Sequence, residues 1–166
     1  MSRWENFYVI VGSSGGALIG LQFVVMTLIA ERNLAQLGAL DAFGTPTVVH
    51  LAAALIVSAI MNVPWSTGPA SVAVLLCGLA GVGYTVVTLL RARRQKDYKP
   101  VFEDWVWYFA VPLAGYIALA IGGARLRADA GPFLVAFAAL GLLLIGIRNA
   151  WDSVTHIVTT RPKTKE

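Results

Sequence analysis

The stretch VGSSGGALIGLQ, Val11 to Gln22, admits two interpretations with opposite consequences for the fold. Taken alone, GSSGG has the composition of a flexible loop whose backbone amides cradle a phosphate. Its flanks, FYVIV and FVVMTLIA, are those of a membrane-spanning helix. A phosphate loop needs a strand before it and a GK[ST] ending, and neither is present. Gly12, Gly16 and Gly20 recur every four residues, so they share a helix face, with Ser13, Thr27 and Ala30 on or beside it. Such a small-xxx-small pattern, a glycine zipper, lets two helix backbones approach closely where lipid offers no hydrophobic incentive. A packing face is therefore expected, in preference to a pore lining or a moving contact. Ser14 and Gln22 fall off that stripe, and Gln22, deep in the run, is expected to hydrogen-bond between helices rather than to line a polar path.

The rest of the chain extends the helical answer. Of 166 residues, 57% are hydrophobic and only 13% charged, about half the charged share of a soluble domain. The mean hydropathy is +0.70. A span needs about 20 apolar residues, and five segments approach that: residues 7–30, 46–63, 69–90, 105–122 and 132–158. The last is reached if its helix continues through RNAWDSVTHIVTT, where Trp151, Val154 and Val158 keep an apolar stripe. Thr45-Pro46, Gly68-Pro69 and Gly131-Pro132 place proline where the first helical turn does not need its N–H. Pro112, inside the fourth segment, predicts a kink. The expected fold is thus all-α: a polytopic membrane protein, one domain over residues 1–166, with a five-helix transmembrane bundle. The alternative is four spans plus a re-entrant hairpin at NVPWSTGP. The first run is too long for a cleaved signal peptide, and AERN is no cleavage site.

Charge sets the expected orientation. With the N-terminus outside, the cytoplasmic side receives Arg32, Arg91, Arg93, Arg94, Lys96, Lys99, Arg148, Arg161, Lys163 and Lys165, leaving only Arg3, Arg125 and Arg127 of the 13 basic residues outside. Trp4, Phe7, Tyr8 and Trp65 would form one interfacial belt, and Trp105, Trp107, Tyr108 and Trp151 the other. The run Arg91, Arg93, Arg94, Lys96 and Lys99 is expected to anchor topology on lipid headgroups. The net charge of +4 belongs to this distribution and not to nucleic acid. FGTPTVVH and IRNAWDSVTH resemble stretches of small bacterial inner-membrane proteins, without pointing to a family of known activity. A bacterial-type inner (plasma) membrane, N-terminus outside and C-terminus cytoplasmic, is the expected location.

Chemistry is legible mainly by exclusion. No Asp, Glu, Lys or Arg lies in the interior of a span, since Arg148 and Asp152 follow the fifth apolar run where its helix leaves the membrane. This argues against proton pumps, antiporters and voltage sensors. A single cysteine, Cys77, excludes a disulfide framework or CxxC site. No HExxH motif or intramembrane carboxylate pair is present, so neither catalysis nor a metal is expected. Arg148, Asp152 and His156 form an i, i+4 ladder in which Asp152 could pair with Arg148 and orient His156. With His50 they suggest a cytoplasmic gate or ligand site, or, as the remoter option, axial ligation of a b-type haem by His50 and His156. The leading expectation is an oligomeric channel or transport protein with a neutral polar path along Ser13, Ser14, Gln22, Thr27, Ser58, Asn62, Tyr84, Thr85 and Thr88. The alternatives are a non-catalytic accessory or assembly subunit of a larger membrane complex and a haem-binding electron carrier. The expected partners are the bilayer and further copies of the chain.

Overall fold

The computed structural model describes residues 4–32, 37–64, 66–94 and 105–159, with the side chains of 28–32, 37–44, 94 and 156–159 left aside. Every long element among them is a helix: α1 (Glu5–Arg32), α2 (Leu37–Asn62), α3 (Thr67–Arg94), α4 (Val111–Ala124) and α5 (Gly131–Thr159). A π-helical turn, Val106–Ala110, leads directly into α4. Five helices are long and apolar enough to cross a membrane. α2 and α3 each meet that requirement, so residues 45–93 hold two helices long enough to cross.

The helices alternate in direction and stand in the spatial order α1, α2, α5, α4, α3, each packing chiefly on its neighbours in that row. α2 and α5 are central, with half of their spanning windows buried, whereas only 22% of the α1 and α3 windows is buried. The sequence explains the central role of α5. Val135, Ala136, Ala139, Leu142, Leu143, Gly146 and Asn149 recur at helical spacing and are all buried. Trp4 meets Phe7 and Phe133 edge-on at one end of the bundle, with ring centroids 5.9 and 4.9 Å apart. That end is called the Trp4 end below, and the end carrying the π turn the Trp107 end.

Glycine allows close approach in several helix pairs, α3–α4 and α1–α2 among them. A Cβ on Gly78 would lie 2.5 Å from the backbone nitrogen of Ala120, and one on Gly123 would lie 2.5 Å from that of Leu75. At these points α3 and α4 touch main chain to main chain. Ser71 Oγ reinforces the contact by donating to the Gly123 carbonyl at 2.6 Å. On the other side of the row, Gly12 abuts Ser58 and Gly15 abuts the Leu51 carbonyl, seating α1 on α2.

Pro69 and Pro132 stand in the first turns of α3 and α5 as expected, whereas Pro46 and Pro112 depart from a simple sequence rule. Pro46 lies inside α2, not at its first turn, because the helix begins nine residues earlier at Leu37. The LGALDA segment upstream is rich in Leu and Ala, which favour helix, and tertiary packing lets membrane-type helices accommodate an internal proline. Pro112 coincides with the π turn, where the Val111 N–H bonds to Val106 O, five residues back. Proline offers no N–H and its ring crowds the carbonyl four residues earlier. Widening the helix by one residue just before it removes that conflict.

Candidate functional site

Polar side chains enclosed within the row of helices define the candidate site. Along α2, Thr47, His50, Leu51, Ala54, Val57, Ser58 and Met61 follow i, i+3, i+4 spacing and form its buried face. Three polar residues thus point into the bundle. His50 is 1% exposed, and its Nδ1 lies 2.9 Å from the hydroxyl of Tyr116 on α4, itself 1% exposed. Tyr116 is positioned by α3: its ring fills the space where a Gly81 side chain would stand. Glycine at 81 therefore places the tyrosine that meets the histidine.

The hydrogen-bond balance of this seam is incomplete. His50 Nε2 has no protein partner, and neither do the two amide atoms of Asn149, a fully buried α5 residue. A neutral imidazole has one donor and one acceptor nitrogen. Whichever Nδ1 is, Nε2 keeps an unused hydrogen-bonding capacity. Gly146 packs on Leu51, and since α2 and α5 run antiparallel, Asn149 stands one turn closer to the Trp107 end, level with Thr47. The Ser58 and Tyr8 hydroxyls, also buried, are likewise without partners. They belong to the other half of the bundle, since Ser58 is about 12 Å along α2 from His50.

At the Trp107 end, the π turn is tied to α5. The Tyr108 hydroxyl donates to Asp152 Oδ2 at 3.2 Å, and the Arg148 guanidinium lies 4.4 Å from the centroid of the Trp107 ring. Arg93 of α3 approaches Trp105 at 5.7 Å. Asp152 and Arg148 of the expected ladder thus both reach toward the turn before α4. The His156 side chain lies outside the described residues, so the pairing of the two histidines does too.

The residues singled out on α1 separate into two groups. Gly12 and Gln22 are buried, and a Cβ on Gly16 would lie 3.9 Å from Leu55 Cδ1. Ser13, Gly20 and Thr27 are exposed, Gly20 with no atom within 4 Å of a built Cβ, and Thr27 bonding back to the Phe23 carbonyl at 2.9 Å. The buried face of α1 runs Tyr8, Val11, Gly12, Gly15 and Gln22, and Gly12 and Gly15 on it meet α2. A strict spacing of four drifts about 40° per step around a helix, which carries the stripe from Gly12 outward to Gly20. Alternation of three and four, as in Tyr8, Val11, Gly12 and Gly15, is the spacing that stays on one side. Of the basic run, Arg91 and Arg93 are exposed at the end of α3. The Arg94 side chain, Lys96 and Lys99 lie outside the described residues.

Sequence reasoning did not single out Tyr116, Asn149, Thr47 or Gly81. Tyr116 sits among AGYIALAIGG with no local pattern to flag it, and its partner is 66 residues away. Asn149 offered a signal: it continues the Leu142, Ile145, Gly146 register that defines the buried face of α5. Among the described residues, no group of three or more His, Cys, Asp or Glu is placed to hold a metal ion. No protein family, curated protein or solved structure matches the chain.

Proposed function

We propose that the chain is an integral membrane protein of five spans in a bacterial-type inner membrane, with its N-terminus outside and its C-terminus cytoplasmic, and that it transports a small uncharged polar solute. Five long apolar helices support the first half of this proposal, as does an exterior bearing Ile10, Leu21, Phe23, Phe137 and Trp151. Arg91, Arg93 and Arg148 at the Trp107 end support the orientation.

One observation carries the transport reading: His50 Nε2 and the Asn149 amide are buried and unpartnered in the seam of α2, α4 and α5. An unsatisfied polar group in such surroundings costs free energy that a leucine would not. A seam serving packing alone would be apolar or would pair its polar groups between helices. Histidine, tyrosine and asparagine together offer neutral donors and acceptors, which suits a solute that exchanges hydrogen bonds without carrying charge. In this reading the Tyr108–Asp152 and Trp107–Arg148 contacts brace the cytoplasmic mouth.

Purified protein in lipid vesicles is expected to pass glycerol or urea faster than protein-free vesicles at both pH 5 and pH 8. His50→Leu is expected to reduce that flux at least about tenfold, the effect of losing roughly 1.4 kcal/mol of stabilisation. Ser13→Ala, on the exposed side of α1, should leave it unchanged. Absence of flux across a broad solute panel sinks the transport reading.

A second observation favours self-association, in which a further copy of the chain covers α1. Its outward side presents Ser13, Gly20 and Thr27, with the partly buried Gly16 at its edge. These small residues would let a sister helix approach closely. Mass measurement in mild detergent should show an oligomer for the native protein and a monomer for Gly16→Leu. A monomer in both would remove the oligomer and leave the accessory-subunit reading to be sought through foreign partners.

A further inference from the structure

From a recess at the Trp4 end, we infer a binding site for one anionic glycerophospholipid, its phosphate on Arg125 and an acyl chain between α4 and α5. The recess has a volume of about 340 Å³ and is lined by Ile121 and Arg125 of the α4 end and by Ala130, Gly131, Phe133, Leu134 and Phe137 of the α5 start. All but one of these groups are apolar, and the exception is a full positive charge at the rim. Phe133 and Phe137 are 63% and 75% exposed, so the recess opens on the outside of the bundle.

The turn that carries Arg125 is fixed by its own backbone. Leu126 donates to the Gly123 carbonyl at 3.2 Å, Ala128 to that of Arg125 at 2.8 Å and Gly131 to that of Ala128 at 2.9 Å. Gly131 packs directly on the Arg125 carbonyl, where any side chain would collide. Arg127 on the same turn is directed elsewhere, its guanidinium lying against Gly68 at the start of α3. Among the described residues, Arg125 has no acidic partner.

Charge and depth together specify the occupant. A second protein helix in the recess would bury Arg125 against apolar side chains, an unpaired charge of the costly kind. A purely apolar solute would leave the guanidinium unused. A phospholipid satisfies both features, since its phosphate lies at the interface and its chains lie below. Arg125 follows the last residue of α4, Ile121 is one turn deeper, and Phe137 is about 9 Å along α5 from Gly131. An anionic headgroup is specified because it brings no ammonium to compete with Arg125. This inference rests on the membrane reading above.

The test uses the full chain purified in mild detergent, with native mass spectrometry after addition of phosphatidylglycerol or of phosphatidylcholine with matched acyl chains. One phosphatidylglycerol per subunit is expected to survive in preference to phosphatidylcholine. Arg125→Gln should cut its retention about fivefold, the share expected of one basic residue near a lipid surface. Ala130→Phe, which fills the recess and keeps the charge, should cut it comparably, and Arg127→Gln should not. Equal retention of the two lipids, or equal retention by wild type and Arg125→Gln, overturns the inference. Loss on adding inorganic phosphate, with Ala130→Phe binding normally, would mean an anion site without a lipid chain and overturns it as well. Extraction of membranes with alkaline carbonate separates the two levels: release of the protein refutes the membrane reading, whereas retention with no lipid preference refutes only the lipid site.

Discussion

Gly78→Leu is expected to separate α3 from α4 and to prevent the accumulation of folded protein. A Cβ at position 78 would stand 2.5 Å from the Ala120 nitrogen and 2.7 Å from its Cα. The obstacle is main chain, so no side-chain rotation relieves it and the two helices must move apart. The register shows how much depends on that approach. Gly78 faces Ala120, Gly123 faces Leu75, and Gly81 faces Tyr116, along successive turns of one antiparallel contact. Overpacking a well-filled core with a few methylenes costs about 1–3 kcal/mol; even Gly78→Ala is expected to fall in this range, and leucine above it. Gly83→Leu is the control, because that glycine is exposed on the same helix and a Cβ there would meet no neighbouring helix within 4 Å. The chain's single cysteine, Cys77, is half-buried beside Gly78 and reports the separation without engineering. Maleimide labelling in detergent should be faster in Gly78→Ala than in wild type and unchanged in Gly83→Leu. If Gly78→Leu unfolds at the wild-type temperature, close backbone approach is not what holds α3 in place.

The consequence reaches beyond stability, because α3 contributes no polar atom to the His50–Tyr116 pair yet decides where Tyr116 sits. Displacing α3 opens the space that Gly81 leaves for the tyrosine ring, and the 2.9 Å contact with His50 loses its support. Pro112 has a comparable indirect role at the other end of α4. The π turn before it sets the rotation at which Trp107 and Tyr108 present themselves to Arg148 and Asp152.

These couplings mark the boundary of what the sequence makes legible. Helix number was readable because apolar run length is a one-dimensional property, and five runs correspond to five helices. The start of α2 was not, since Thr45-Pro46 resembles a helix start and only packing reveals that the helix begins upstream at Leu37. The face of α1 was partly readable. Gly12 and Gln22 are buried, but a spacing of four, followed alone, led outward to Gly20 and passed over Gly15. His50 stood out as one of two histidines. Its partner did not, because the contact joins residues 66 apart and is arranged by a glycine on a third helix. Information of that kind resides in which helices are neighbours, and the row order α1, α2, α5, α4, α3 differs from the order of the chain.

Asn149→Leu is expected to make the protein more stable and less active at once. The Asn149 side chain is fully enclosed, and both its nitrogen and its oxygen lack a partner. Leaving a buried polar group unsatisfied costs about 1–3 kcal/mol, and a leucine of similar size on a face already formed by Leu142 and Ile145 incurs no such cost. Unfolding of the variant in detergent, followed by helical circular dichroism, should therefore shift upward by about that amount. The same substitution removes the amide proposed to meet the solute, so flux in vesicles should fall to the background of protein-free lipid. The two readouts move in opposite directions only if the amide is there to bind something. Were Asn149 a hydrogen-bonding link between helices, leucine would lower stability, and the sign of the shift would reject the site. Were it an idle polar group, stability would rise with flux intact, and the path would have to run elsewhere. A stabilised protein that no longer passes solute is the outcome that fits an incomplete seam completed by its cargo.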